Sequence, residues 1–285
     1  MILVFGKSGQ LAQSLAAHAD TTRVGRGDVD LMQVGAAQDA IERLKPSAVI
    51  NAAAYTNVDQ AETERDAALR LNADAPGEMA QACAAHGIPF VHVSTDYVFD
   101  GSGAAPWRPD DPVMPLNFYG HSKAEGEARV RASGATYVVL RTAWVFSGTG
   151  NSFVRTMMRL GQTKTEISVV SDQVGGPTPA DDLGSACLHV AQQLGQNPDQ
   201  SGTYHFAGQP DVTRAAFARE IMARSGNSCS VTETDSSEFP TPAKRPLNSR
   251  LDGSTFTRTF DISMPDWRPG LDRAIAQMTK DEATL

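Results

Sequence analysis

The chain opens with Ile2-Leu3-Val4-Phe5 and passes without a break into Gly6-Lys7-Ser8-Gly9-Gln10-Leu11-Ala12. An uninterrupted apolar run of this length suits a strand buried on both faces of a parallel sheet. A Gly-rich turn directly after such a strand, followed by a helical pattern through Leu15 and Ala16, is the arrangement that binds dinucleotides. Gly6 permits the tight turn, and Gly9 lets backbone approach a pyrophosphate seated on the helix N-terminus. Ala12 stands where a third glycine is usual and only close packing is needed. A Gly-x-x-Gly alone marks no more than a tight turn. Its place at residue 6, straight after a buried strand, favours a cofactor over the turn formed by Gly6, Ser8 and Gly9.

The pattern continues as alternating strands and helices. Residues 22–25, 48–51, 90–93 and 136–141 read as strands, and residues 37–44 and 66–86 as helices. The expected fold class is α/β, a Rossmann-type doubly wound parallel sheet with a smaller C-terminal substrate lobe. The expected division is a dinucleotide-binding domain over residues 1–145 and a lobe drawn mainly from 146–285. A helix near 180–194 returns to the sheet, so the two interleave. Within the second half, 153–160 and 212–225 read as helices, with Thr213 as a cap, and 167–170 and 203–206 as strands.

The chain has 285 residues, 41% hydrophobic and 20% charged, which is enough for a large core. The net charge of −8, with no basic cluster, speaks against nucleic acid and anionic membrane as partners. Cys83, Cys187 and Cys229 lack Cys-x-x-Cys spacing, so free thiols in a reducing cytoplasm are expected. No stretch approaches the ~18 apolar residues of a membrane span. The six histidines show no ligand spacing, and no metal site is read from them.

Chemistry concentrates at strand ends. At the end of the second strand, Arg26 suits the 2′-phosphate of NADPH, while Asp28 and Asp30 suit ribose hydroxyls. NADPH with some use of NADH is expected, and a solvated Arg26 is the other reading. Asp30 and Leu31 are placed near the adenine. Ala52, Ala53 and Ala54 leave room for a ligand at a strand's carboxyl end, or serve helix packing. Thr56 and Val58 follow in a polar loop that could line a substrate pocket. Asn72, inside a helix, reaches either a strand end or solvent. Ser94 and Thr95 close the fourth strand, where a hydroxyl is placed to bond a reacting oxygen. A long Pro- and Asp-rich loop leads from there to Tyr119-Gly120-His121-Ser122-Lys123. A Tyr and a Lys four residues apart share a helix face. An ammonium near the phenol would lower its pKa, and such a Tyr can exchange a proton with a carbonyl/alcohol pair. Trp144, just past the next strand, either covers the nicotinamide and sugar or belongs to the core. Arg245, in the one locally basic run, is read as a diphosphate ligand or a solvated side chain.

Together these segments resemble an extended short-chain dehydrogenase/reductase, and within it the dTDP-4-dehydrorhamnose reductases. The matching stretches are Phe5 to Gln10, Asn51 to Thr56 with Val58-Asp59, Ser94 to Gly101, and Pro115 to Gly120 with Lys123. They continue with Arg141 to Val145, Asp172-Gln173 with Gly175 and Pro177-Thr178, Pro242 to Pro246 with Asn248-Ser249, and Pro265-Asp266-Trp267. The resemblance implies a catalytic trio of Thr95, Tyr119 and Lys123. It implies cofactor contacts at Gly9, Gln10, Leu11, Asp30, Leu31, Ala52 to Ala54, Tyr55, Thr56, Tyr119 and Lys123, to which Ser94 and Asn72 are added. It implies sugar-nucleotide contacts at Thr95, Asp96 and Trp144. The expected activity is NADPH-dependent reduction of the 4-keto group of dTDP-4-dehydro-β-L-rhamnose. A ketoreductase or epimerase on another nucleotide sugar, and a non-catalytic NADP-binding subunit like the regulatory subunit of methionine adenosyltransferase, are the alternatives. Some relatives form a Mg²⁺-bridged dimer through acidic side chains. Ser14 stands at one such position here while Asp181 keeps an acid at another, so tightly held Mg²⁺ is not expected, and a monomer or weak homodimer is.

Overall fold

Strand β1 (Ile2–Phe5) is buried at all its positions and pairs in parallel with β2 (Thr21–Val24) on one side and β3 (Ala48–Asn51) on the other. An apolar run without polar alternation needs cover on both faces. β4 (Phe90–Thr95), β5 (Tyr137–Thr142) and β6 (Gly202–His205) complete a parallel sheet of six strands in the order β6-β5-β4-β3-β1-β2. The computed structural model describes the backbone of residues 1–283.

The helices, in chain order, are α1 (Gln10–Ser14), α2 (Ala36–Leu44), α3 (Arg65–Leu69), α4 (Ala75–His86), α5 (Phe118–Ala132), α6 (Phe153–Thr163), α7 (Ala180–Gln196), α8 (Arg214–Arg224), α9 (Ser254–Phe260) and α10 (Trp267–Ala283). Alternate residues of the sheet face opposite layers. Leu3, Phe5, Val49 and Phe90 pack on Ile41 of α2, Met79 and Cys83 of α4 and Val130 of α5. Ile2, Val4, Ile50 and Leu140 pack on Leu11 of α1, Leu183 and Val190 of α7 and Phe256 of α9. A second core, built on Phe146, Met157, Val169, Phe217, Ile221 and Trp267, ties α6, α8 and α10 to a parallel pair of strands, Glu166–Val170 and Ser230–Thr234. Among the described residues no helix is long and apolar enough to cross a membrane.

Four elements differ from the expectation. The helix expected over 66–86 is interrupted by a π-helical turn, Arg70–Asp74. That turn packs against α5 at Gly126, where any side chain would overlap the Asn72 carbonyl. β6, which the loosening pattern groups with the lobe, is an edge strand of the main sheet; only its last residue, His205, is fully buried, so its sequence lacks the apolar run of a central strand. The helices α9 and α10 are absent from the sequence reading.

The chain order reverses between β1 and β3. In open α/β sheets the ligand crevice lies outside the carboxyl ends at such a switch point.

Candidate active site

The cleft at this switch point has a volume of about 600 Å³ and is lined by the ends of four strands. β1 contributes Ser8, Gly9, Gln10 and Leu11; β3 contributes Ala52, Ala53 and Ala54 with Thr56 and Val58 beyond. β4 contributes Ser94, Thr95 and Asp96, and β5 contributes Thr142 and Trp144. Tyr119 and Lys123 enter from the first turns of α5, whose start is fixed by Asn117: its Oδ1 accepts from the Gly120 N–H at 2.8 Å. Gly120 is required there because a side chain would overlap the Tyr97 carbonyl oxygen. Thr95, Tyr119 and Lys123 therefore open on one space.

The Gly-rich turn has the shape a dinucleotide needs. Gly6 adopts φ +123, closed to most side chains, and backs onto the Ala52 carbonyl carbon, 3.2 Å from where a Cβ would sit. At Gly9 a Cβ would meet nothing within 4 Å, so that backbone is open to a ligand. In the same cleft, Thr142 Oγ1 is buried without a hydrogen-bond partner and lies across from Thr95 in the β4–β5 register.

Burial raises the Tyr119 phenol well above the ordinary tyrosine range; a hydrogen bond with Thr95 opposes this, while Asp96 and Tyr97 add to it. Burial brings Lys123 down to about 8, with Glu127 pulling it up. Lys123 Nζ donates to the Val93 carbonyl at 2.7 Å and stands 3.4 Å from His92 Nε2. The helical spacing predicts an ammonium that depresses the phenol. The side chain is instead turned onto the β4 backbone, and desolvation sets the state of the phenol.

Behind the pair, Glu127 is fully buried and holds Arg141 through bonds of 2.8 and 2.7 Å, Ser94 at 2.6 Å and Arg131 at 3.1 Å. Burial alone would raise its carboxyl; Arg141, Ser94 and Arg131 together hold it below the usual range. Asp96 is the opposite case. Burial lifts it to about 6 against hydrogen bonds from Ser249 and Thr95, and Thr95 Oγ1 donates to its Oδ1 at 3.0 Å.

Several residues singled out by sequence lie outside this cleft. Asn72 is fully buried; its Oδ1 accepts from the Tyr55 N–H at 2.8 Å and its Nδ2 donates to Tyr55 O and Ser122 Oγ. It fixes the loop after β3 and the Tyr119 helix from behind. Tyr55 turns its hydroxyl onto Glu64. Arg26 is 83% exposed, with Nε 3.8 Å from Asp30 Oδ1, and Leu31 belongs to the core beside β1. Arg245 grips Asp59 with both guanidinium nitrogens, at 2.6 and 2.8 Å, and also donates to Ala243 O. Its charge is met by Asp59, and it lines a neighbouring pocket with Lys244 and not this cleft. Ser14 Oγ donates to Leu11 O and Ala180 O, and Asp181 lies 4.0 Å from Arg273. Among the described residues no three His, Cys, Asp or Glu side chains gather as a metal site.

Several residues of the cleft escape the sequence reading, Tyr97 and Arg214 among them. Tyr97 packs edge-on against Tyr119, centroids 5.5 Å apart. Arg214 stacks on Trp144, and only the start of a capped helix marks its position.

The chain matches the family described as the RmlD substrate binding domain over residues 1–280. It is 37% identical to the dTDP-4-dehydrorhamnose reductase of Sinorhizobium fredii over 284 residues, 96% of each chain. It is 36% identical to that of Salmonella typhimurium, covering 97% of each. A crystal structure of a dTDP-4-dehydrorhamnose reductase from Bacillus anthracis in complex with NADP superposes with a TM-score of 0.90 at 32% identity, over 97% of this chain and 98% of that one. The corresponding protein of Clostridium acetobutylicum also gives 0.90, at 36% identity over 98% and 99%.

Proposed function

The chain belongs to the RmlD substrate binding domain family, and from that membership we propose that it is a dTDP-4-dehydrorhamnose reductase. It reduces the 4-keto group of dTDP-4-dehydro-β-L-rhamnose to the alcohol of dTDP-L-rhamnose, using NADPH and accepting NADH. The observation that carries this reading is the meeting of Thr95, Tyr119 and Lys123 in the cleft that also contains the Gly-rich turn.

When bound, NADPH supplies the hydride for the ketone carbon. The turn from Gly6 to Leu11 and the small residues Ala52 to Ala54 would hold it. Tyr119 gives its phenolic proton to the keto oxygen as charge develops there. A phenol held protonated by burial is an acid ready at neutral pH, which the reductive direction requires. Thr95 fixes the phenol and the oxygen in line, and Lys123 supplies a nearby positive charge from the β4 edge. Asp96 and Trp144 flank the sugar.

Steady-state NADPH oxidation with enzymatically made dTDP-4-dehydrorhamnose, against other 4-keto nucleotide sugars, tests the assignment. Turnover is expected with the first, and absence of turnover with it would end the proposal. The pH profile carries a second expectation. Lys123 titrates at about 8, so its ammonium is present below that value and lost above it. The kcat/KM for NADPH, which reports groups of the free enzyme, should fall as pH rises through that value. A profile level to a full unit above it would remove Lys123 from the chemistry.

The enzyme is further read as a monomer or weak homodimer without tightly held Mg²⁺, on the support of the intramolecular bonds of Ser14. Mg²⁺ retained after gel filtration and dialysis would contradict this.

A further inference from the structure

The cleft adjoins a neighbouring pocket of about 710 Å³, and the two share Tyr97, Phe153 and Arg214 in their walls. We propose that Arg214 binds the diphosphate of the nucleotide-sugar substrate and that this second pocket takes the nucleoside. The inference rests on the reductase reading for the identity of the sugar, and on the geometry alone for the diphosphate.

Arg214 is the first residue of α8. Thr213 caps that helix, its Oγ1 accepting from the Ala216 N–H at 3.0 Å, and the Arg214 N–H donates to Gln173 O at 3.1 Å. The guanidinium carbon lies 3.6 Å from the centroid of the Trp144 ring and 5.1 Å from that of Phe153. A planar cation against an indole face is held in orientation while its N–H edge stays available.

What sets Arg214 apart is its lack of a counter-ion. Arg141, more deeply buried, has Glu127, and Arg245 has Asp59, while Arg214 is half-buried. Among the described residues no carboxylate lies within ion-pair distance of Arg214 and its guanidinium makes no hydrogen bond. The carboxylate that acts on it from a distance is Asp96, whose Oδ2 is buried without a hydrogen-bond partner. Burial lowers Arg214 to about 10, so it remains a cation at neutral pH. A desolvated cation without a partner is costly unless an anion completes it. The anion must bridge the two cavities, one leading to Tyr119 and the other lined by Val169, Val170, Phe239 and Pro240 with Ser236 and Gln173 at its polar side. A diphosphate joining a sugar to a flat, partly apolar base has that shape and charge, and guanidinium pairs with phosphate through two N–H groups.

The test is calorimetric titration of the NADPH-loaded full chain with dTDP and with thymidine, and of the cofactor-free chain with NADPH. Arg214→Met is expected to weaken dTDP about 100-fold, the scale of losing one partner of a buried charge pair. Thymidine and NADPH affinities should stay near wild type. Arg214→Lys keeps the charge and loses the fork, so roughly ten-fold is expected, and it serves if the methionine variant does not fold. A dTDP affinity within about three-fold of wild type in both variants, or a loss shared equally by NADPH, would overturn the assignment. The two readings fail separately. A chain that binds dTDP through Arg214 but reduces no ketone defeats the reductase assignment alone. A reductase whose KM for the sugar nucleotide ignores Arg214 defeats this one alone.

Discussion

Tyr119→Phe is expected to lower kcat by about 10³- to 10⁴-fold, the upper range for loss of a positioned general acid, with NADPH affinity essentially kept. The size follows from the lack of a substitute. Asp96, at about 6, is ionised at neutral pH and has no proton to give. The Lys123 ammonium is turned onto the Val93 carbonyl at 2.7 Å. The fold should tolerate the change. The ring keeps its edge-on contact with Tyr97, and Thr95 Oγ1 keeps its bonds to Asp96 Oδ1 at 3.0 Å and from the Tyr97 N–H at 3.2 Å. Single-turnover reduction under saturating NADPH, alongside direct titration of the cofactor, isolates the chemical step. A single-turnover rate within about ten-fold of wild type would mean that another group delivers the proton.

The features legible in sequence are those set by local pattern. Ile2–Phe5 followed by Gly6 determines a buried strand and a turn whatever surrounds it, and Tyr119 with Lys123 fall on one helix face by spacing alone. Thr95 was legible because a strand's last residue in this fold faces the crevice. What stayed hidden depends on partners distant in sequence. Asn72 looks like a polar intruder in a helix; its meaning lies in a π-helical turn and in Tyr55 and Ser122, 17 and 50 residues away. Arg245 looks like an unpaired cation until Asp59, 186 residues earlier, is seen to hold it. Arg214 has no motif around it, and only the Trp144 ring gives its position significance. The same holds for the phenol's acidity. Helical spacing suggested that Lys123 governs it, whereas burial, which no local pattern reveals, is the larger influence.

Glu127→Ala should prove the most destabilising single truncation in the catalytic helix. It lies one turn beyond Lys123 on α5 and fastens that helix to both β4, through Ser94, and β5, through Arg141. Neither Glu127 nor Arg141 is more than 2% exposed. Glu127→Ala would leave the Arg141 guanidinium buried with the Pro109 carbonyl at 3.0 Å and His205 Nε2 at 3.4 Å but no counter-charge. The expected loss is about 3–5 kcal/mol, read as a shifted urea midpoint at constant slope. The same carboxylate raises Lys123, so its removal should also move the alkaline limb of kcat/KM to lower pH, because the ammonium is then lost sooner. The two effects separate in the double variant Glu127→Leu with Arg141→Met. Replacing a buried pair by apolar side chains of similar size is often neutral or stabilising, so the midpoint should recover while the displaced limb remains. Recovery of both would mean that the limb reports the integrity of the helix, and a Glu127→Ala midpoint equal to wild type would mean that the pair contributes little to holding it.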